Sequence, residues 1–409
     1  MANTFATSSI VAKEALAVLE NMLEFSKGAN RAWESEFSSN MSRGYAPGQT
    51  INIKRPPRYT YRAGRVAVPQ GTVETTVPLT LTQGGTDMNF TSAERTLSLV
   101  QLQPKIRAAM ATVANEIDRQ GLDLARTSTY NAIASPAGLG TVPTTQAQAL
   151  QFFTQLGQRL DEMGAPRDKD RSVVMNPALN GGMIQGLAGM FNSQRKISDQ
   201  YGSGLVVDSL GFNVAMDQNV GVHTSGTQAA GPTANAVNGA GQSGATITVN
   251  GAAITGTILR GTKISFAGVN AVNPQSRQST GALAQFTVTA DVAAAATSIP
   301  ISPALTPSGA FQNVTASPAN NAALTVFAGN TTYAANVAYH KDAFTLATVP
   351  LYAPPSGKGV IDVAQESYRG INLRVIEFYD GTNDNYIMRF DVLFGWAATY
   401  PELSVIAAV

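Results

Sequence analysis

The chain contains no cysteine. Disulfides, thiolate nucleophiles and cysteine-based metal sites are therefore excluded, and a reducing compartment such as a bacterial cytoplasm is compatible with that composition. Histidine is almost as scarce, with His223 and His340 the two examples. A metal site would have to bring both histidines or distant carboxylates together, and no short ligand spacing exists. Charge is sparse too. Only 13% of the 409 residues are Asp, Glu, Lys or Arg, against roughly 25% in an ordinary soluble domain. A free monomer normally carries more charge to stay in solution, whereas a chain that covers much of its surface with copies of itself has less need of it. Lys and Arg total 28 and Asp and Glu 27. That balance argues against a dedicated nucleic-acid binder, whose affinity comes from clustered cations, and against a polybasic membrane anchor.

Signals for export and catalysis are missing as well. Met1-Ala-Asn-Thr-Phe-Ala-Thr has neither the charged start nor the apolar run of a signal peptide. No stretch approaches the roughly 20 apolar residues of a membrane span. The product is expected to be soluble and unexported, and the Asn-x-Ser/Thr sequons at Asn40, Asn89, Asn313 and Asn330 to be chance. Ser356-Gly-Lys358-Gly lacks the upstream glycine of a phosphate-binding loop. The glycines at Gly181, Gly182 and Gly186 do not make a dinucleotide fingerprint, and there is no nucleophile elbow. His340, in Tyr-His-Lys-Asp, reads as a hydrogen-bonded structural histidine. The expectation is a non-enzyme with no catalytic residue, metal or cofactor.

What is present is a sequence of contrasting segments, long enough for two or three domains. Residues 9–25 read as an amphipathic helix capped by Ser9, with Val11, Ala15, Val18, Leu19 and Met22 at three- and four-residue spacing. The expected role is packing on its own domain. A partner-binding arm is the alternative, suggested by the Ser-rich stretch from Glu34 to Gly44 that follows. Gln49-Thr-Ile-Asn-Ile-Lys and Thr76-Val-Pro-Leu-Thr-Leu-Thr alternate as strands. Between Phe37 and Val73 there is no acid, yet Arg43, Lys54, Arg55, Arg58, Arg62 and Arg65 occur there, with Tyr59 and Tyr61 among them. Basic residues interleaved with aromatics can bind single-stranded nucleic acid. A positive hairpin reaching onto an acidic patch of a neighbouring subunit accounts for the same residues.

A long helix is expected from Pro104, a favourable first helical position, to about Tyr130. Ile106, Met110, Val113, Ile117 and Leu124 make its apolar stripe, and Glu116, Asp118 and Asp123 lie off it, free to meet cations. Ser135-Pro136-Ala-Gly138 breaks the chain. Helix and strand then alternate: Gln146 to Met163 helical, Arg171-Ser-Val-Val-Met extended, Pro177 to Phe191 helical, Val206-Val-Asp and Phe212-Asn-Val-Ala-Met extended. From Thr224 to Asn330 the only charged residues are Arg260, Lys263, Arg277 and Asp291. Ala245-Thr-Ile-Thr-Val, Asn250-Gly251 and Ala252-Ala-Ile-Thr predict a hairpin with a type I′ turn. Lys263-Ile-Ser-Phe, Gln285-Phe-Thr-Val-Thr, Ser298-Ile-Pro-Ile and Leu324-Thr-Val-Phe add strands of a small β-barrel or sandwich. It reads as an insertion, because an α+β pattern resumes at Asn336-Val-Ala-Tyr-His. Strands Ile371 to Phe378 and Tyr386 to Phe394 follow, joined through Asp380-Gly381-Thr-Asn-Asp384-Asn385. No internal repeat is present.

Three stretches carry a family resemblance. They are Ile106-Arg-Ala-Ala-Met-Ala-Thr-Val-Ala-Asn115 with Ala134-Ser-Pro136, Leu259-Arg-Gly-Thr-Lys-Ile-Ser-Phe-Ala-Gly-Val269, and Leu393-Phe-Gly-Trp-Ala-Ala-Thr-Tyr-Pro-Glu402. With the order of segments, they resemble the major capsid proteins of tailed bacteriophages, in particular short-tailed-phage coat proteins carrying an inserted β domain. The resemblance implies an α+β capsid fold. Residues 1–44 would form an N-terminal arm, 45–92 an extended loop (the E-loop), and 93–144 the spine helix with the P subdomain. Residues 145–223 would begin the A subdomain, 224–330 form the inserted all-β barrel, and 331–409 return to the A and P subdomains. It further implies pentamers and hexamers that tile an icosahedral procapsid, assembled in the host cytoplasm around a scaffolding protein. The finished virion would include a portal and double-stranded DNA held non-specifically on the inner face, with no membrane partner.

The expected inter-subunit contacts are Lys54, Arg55, Arg58, Tyr59, Tyr61, Arg62 and Arg65. Glu14 and Glu20 are candidates for scaffold contact. The insertion departs from the family pattern in being Ala/Gly-rich and nearly uncharged, which argues against salt bridges between capsomers from its loops. The competing readings are a tail, fibre or surface adhesin, suggested by the Gly/Thr/Asn-rich β region, a hydrolase with a β accessory domain, and a bacterial encapsulating compartment.

Overall fold

The structure is a computed structural model that describes residues 8–34, 50–92, 94, 102–187, 210–355, 360–368 and 371–409. In chain order the elements are α1 (Ser8–Met22), β1 (Thr50–Arg55), β2 (Thr75–Thr80), β3 (Thr82–Thr91), α2 (Leu102–Ser128), β4 (Ala132–Ala134), α3 (Gln146–Glu162), β5 (Arg171–Met175), α4 (Pro177–Leu187), β6 (Asn213–Met216), β7 (Val222–Thr224), β8 (Gly231–Thr233), β9 (Gly244–Thr248), β10 (Lys263–Val272), β11 (Ser279–Val288), β12 (Ser298–Leu305), β13 (Leu324–Val326), β14 (Thr332–His340), β15 (Phe344–Val349), β16 (Val360–Tyr368), β17 (Ile371–Asp380), β18 (Asn385–Ala398) and β19 (Ser404–Ala408). This is the α+β composition expected. The strand Val206-Val-Asp and the end of the helix beyond Leu187 lie outside the described residues. The chain divides into two compact units.

The first unit comprises Met1–Ile53, Thr76–Gly121 and Thr345–Ala397. Its sheet runs β15-β18-β17-β16, with β3 paired to β18. Val11, Ala12, Ala15, Leu16 and Leu19 of α1 are buried with Ile106, Met110, Val113 and Ile117 of α2 and with Leu373, Val375, Phe390 and Val392 of the sheet. The N-terminal helix therefore packs on its own unit. The helix begins at Ser8, one residue before the expected cap position at Ser9.

Two expectations for the long helix need correction. Asp118 does not lie at the surface. It is 1% exposed and accepts hydrogen bonds from the amides of Glu24 (2.7 Å), Phe25 (3.2 Å) and Ser26 (3.1 Å), and from the Ser26 hydroxyl. The 3₁₀ turn Ser26–Gly28 follows α1 across this part of the helix, so a face that periodicity leaves to solvent is covered. Glu116 and Asp123 do pair with cations, Arg119 and Arg126, one turn on. The apolar stripe also shifts near its end. Leu122 and Ala125 are buried, while Leu124 is only half-buried.

The second unit comprises Lys54–Thr75, Leu122–Phe344 and Ala398–Val409. One sheet runs β4-β19-β14-β5-β6, with β7 also on β14. β19–β4 and β5–β6 are parallel. Helix α3 starts at a capping box of Thr145 and Gln148. Phe152, Phe153, Leu156 and Leu160 of this helix share a core with Leu179 and Met183 of α4 and with Val173, Met175, Ala338 and Val405 of the sheet. The inserted segment leaves this sheet at β7 and returns at β14. These two strands pair antiparallel, Thr224 opposite Thr332 and His223 opposite Tyr333, which places the ends of the insertion side by side.

The insertion is a six-stranded sheet in the order β8-β13-β10-β11-β12-β9. All four strands expected from its apolar runs are present. Its core includes Ile247, Val249, Ile264, Phe266, Phe286, Val288, Ile299, Ile301, Leu324 and Val326. The expected Asn250-Gly251 hairpin does not form. Asn250 has φ −80° and its side chain accepts from the Ala252 amide, capping a 3₁₀ turn Gly251–Ala253. β9 pairs instead with β12, Ile247 opposite Ile299. The local turn preference loses because the hydrogen-bonding edge of β9 is taken by a strand distant in sequence.

Candidate functional site

The basic loop is carried by the two-stranded β1–β2 ribbon. Alternation in Thr-Ile-Asn-Ile-Lys-Arg turns Ile53 into the protein and leaves the following cations at the start of the loop. Pro56 and Pro57 then hold the chain extended.

The loop's base is tied to its own chain. Lys54 Nζ lies 3.0 Å from Glu74 Oε2. Arg55 Nη2 donates to the Ala398 carbonyl at 3.5 Å, and its guanidinium stacks over Tyr400, 5.4 Å from the ring centre. Arg58 pairs with Glu402 at 3.2 Å and lies 5.9 Å from the Phe311 ring centre. Arg277 Nη2 donates to the Tyr59 carbonyl at 2.6 Å. Farther out, the Gln70 side chain acts as a strand partner. It accepts from the Thr60 amide and donates to the Thr60 carbonyl, both at 2.7 Å. Tyr59 meets the Thr72 hydroxyl at 3.0 Å. A cavity of about 590 Å³ lies behind the base, lined in part by Arg55, Arg58, Tyr130, Asn131, Phe311 and Glu402.

The tip is different. Tyr61 is 93% exposed, Val66 79% and Val68 63%, and Arg65 is exposed beside them. Arg62, also exposed, donates to the carbonyls of Gly64 and Val66 within the loop. The structure thus splits the seven loop residues singled out in the sequence. Lys54, Arg55 and Arg58 serve as internal anchors, Tyr59 sits at the junction, and Tyr61, Arg62 and Arg65 are presented outward. Their partners Arg277, Phe311 and Glu402 were not legible, because they come from up to 344 residues away. Glu14 is half-buried on α1, and the side chain of Glu20 lies outside the described residues.

Both histidines are buried and hydrogen-bonded. His340 Nε2 lies 3.1 Å from Asp168 Oδ2, and its Nδ1 accepts from the Asp342 amide at 3.3 Å. His223 Nδ1 lies 2.9 Å from Arg126 Nη1 and its Nε2 3.1 Å from Thr262 Oγ1. Arginine only donates, so Nδ1 is the acceptor and Nε2 carries the proton. Burial, with Lys263 and Arg126 nearby, pushes His223 down to about 3. Among the described residues no group of three or more His, Asp or Glu is placed to hold a metal ion, and no helix is long and apolar enough to cross a membrane.

Residues 3–407 match the family model described as P22 coat protein, gene protein 5. No curated protein matches. Solved structures similar to the chain include one from Mycobacterium phage Che8, at 12% identity and TM-score 0.45, covering 100% of this chain and 93% of that one. The asymmetric unit of the bacteriophage PhiM1 mature capsid is similar at 12% identity and TM-score 0.41, covering 88% and 82%. A virus-like particle from Pyrococcus furiosus is similar at 8% identity and TM-score 0.41, covering 97% of each chain.

Proposed function

The chain belongs to the P22 coat protein family and is a major capsid protein, a structural subunit whose copies form the virion shell; on that premise we propose how its copies meet. They associate as pentamers and hexamers that tile an icosahedral procapsid in the host cytoplasm, around a scaffolding protein. The shell later holds double-stranded DNA non-specifically and carries a portal. The subunit catalyses nothing. Its parts are the arm of residues 1–44, the E-loop of 45–92, the spine and P subdomain of 93–144, and the A subdomain begun at 145–223 and completed by 331–409. The inserted β domain is 224–330.

One observation carries the reading of the contact surface. The loop tip presents Tyr61, Val66 and Val68 to solvent on a base fixed by two arginine anchors. Solitary exposed apolar residues are ordinary, but three within residues 61–68 on a braced loop support an interaction site. The occupant is a neighbouring copy, with Arg62 and Arg65 meeting its acidic groups. Arg58 contributes from within, by holding the loop to Glu402. Glu14 and Glu20 meet a basic scaffold segment.

The test is negative-stain electron microscopy of the chain expressed with and without its scaffolding protein. Uniform closed shells formed with the partner are expected, and a monomer under every condition removes the proposal. A Tyr61→Ser, Arg62→Glu, Arg65→Glu variant is expected to remain folded by circular dichroism while shell yield falls at least tenfold. Unchanged yield rejects the loop tip as the contact.

A further inference from the structure

The last four carbonyls of an α-helix have no partner within the helix. At the end of α2 two of them are taken by side chains of the inserted domain. Lys263 Nζ donates to the Arg126 carbonyl at 2.9 Å, and Thr287 Oγ1 donates to the Thr127 carbonyl at 3.2 Å. Lys263 and Thr287 sit directly opposite each other in the β10–β11 ladder. Two residues before Thr287, on the same face of β11, Gln285 accepts from the Ala132 amide at 2.8 Å and donates to the Ala132 carbonyl at 3.1 Å. The face of this ladder therefore continues the hydrogen bonding that the helix leaves unfinished.

Lys263 is 1% exposed. Its ammonium has three donors and three acceptors in reach: the Arg126 carbonyl, the Gly261 carbonyl at 2.6 Å and Thr287 Oγ1 at 3.2 Å. A buried cation is costly unless its donors are satisfied. Here they are satisfied without a carboxylate, at the negative end of a helix dipole. Gly261 makes the approach possible. It has φ +89°, and a Cβ there would sit 3.2 Å from His223 Cε1.

We propose that Lys263 and Thr287 form the C-terminal cap of the spine helix, and that this cap is the positioning device that sets where the inserted β domain sits on the capsid frame. Such a cap requires no charge elsewhere in the insertion, which suits a domain with four charged residues between Thr224 and Asn330. The titratable and charged groups packed around the cap are Asp123 and Arg126 of α2, His223 of β7 and Tyr333 of β14. Asp123 is paired with Arg126. His223 is held neutral by burial, and burial raises the Tyr333 phenol. Burial, with Arg126 adding to it, lowers Lys263 to about 7. The lysine is the group there that titrates between neutral and mildly alkaline pH. An opened cap returns it to water, where it holds its proton, so opening becomes harder as pH rises from about 7 towards 10.5.

Hydrogen exchange by mass spectrometry on the unassembled full chain tests this, with rates corrected for intrinsic pH dependence. Lys263→Met keeps the stem volume and removes the donors. It should speed exchange at least tenfold in peptides covering 122–135 and 259–265, while β9 and β12 keep their protection. In the unmodified chain protection of 122–135 should rise between pH 7 and 9.5, and in Lys263→Met it should not. Thr287→Val, which retains the lysine, should give a smaller loss in the same peptides. Unchanged protection at 122–135 in both variants, or a rise with pH that survives Lys263→Met, overturns the proposal. If Lys263→Met exposes the whole insertion, Thr287→Val decides alone: a loss confined to 122–135 supports the cap, and no loss there refutes it.

Discussion

Asp118 ties the turn after α1 to the long helix α2. It is a carboxylate almost without solvent contact that receives three backbone amides and a hydroxyl from residues 24–26. Replacing it by alanine removes every one of those acceptors. The amides of Phe25 and Ser26 lie in buried surroundings, and each buried donor left without a partner costs about 1–3 kcal/mol. The Glu24 amide is nearer the surface and can take water, so its loss counts little. Asp118→Ala is therefore expected to destabilise by about 3–5 kcal/mol, the range for breaking a buried charged network. Asp118→Asn keeps the volume and one acceptor oxygen and should cost about 1–2 kcal/mol, since hydrogen bonds to a charged group exceed neutral ones by that order.

The assay is urea unfolding of the unassembled subunit followed by Trp396 fluorescence in a Trp33→Phe background. Trp396 is a local reporter. Its indole donates to the Ile117 carbonyl at 3.0 Å and packs 5.2 Å from Phe25. With a urea slope of about 2–3 kcal/mol per molar, the alanine variant should unfold at least about 1 M earlier. A midpoint within about 0.3 M of the parent, or equal losses in the Ala and Asn variants, would refute the view that the charge pins the turn.

Gly121 lies inside α2, where alanine would ordinarily stabilise by about 1 kcal/mol. A Cβ there would stand 2.7 Å from Trp396 Cζ2 and 2.8 Å from Phe25 Cδ1. Gly121→Ala is therefore expected to lower the thermal midpoint and blue-shift or quench Trp396, and a raised midpoint counts against the packing. Glu34 accepts from the Thr348 amide at 3.2 Å, and burial pushes it up to about 7 despite that amide and nearby Arg31. Its folded-state value lies above its unfolded one, so its contribution is present at low pH and lost as pH rises through about 7. Urea midpoints should fall between about pH 4.5 and 7 in the parent and flatten in Glu34→Gln. Parallel pH curves for the two proteins contradict this.

Much of the architecture was legible because periodicity and turn chemistry are local. The long α2, the α3–β5–α4 alternation, the four central strands of the insertion and the β17–β18 pair lie where alternation or three-and-four spacing placed them, to within a few residues. So did the loop as a basic, acid-free segment. Its division into anchor and tip was not legible, since that depends on Glu402, Phe311 and Arg277 arriving from distant segments.

Composition alone determined that this chain has no cysteine chemistry, two histidines and an almost uncharged stretch from Thr224 to Asn330. Those are properties of residue content and hold in any conformation. Tertiary structure decided the rest. It turned Asp118 from a surface acid into a buried acceptor, because another segment covers that helix face. It replaced the Asn250-Gly251 hairpin with a 3₁₀ turn, because β9 pairs with the distant β12. It made Lys263, one of three cations in a sparsely charged domain, the partner of a helix end 137 residues earlier. Burial and long-range partners are set by chain crossings, and a linear pattern of polar and apolar residues carries no record of which crossing occurs.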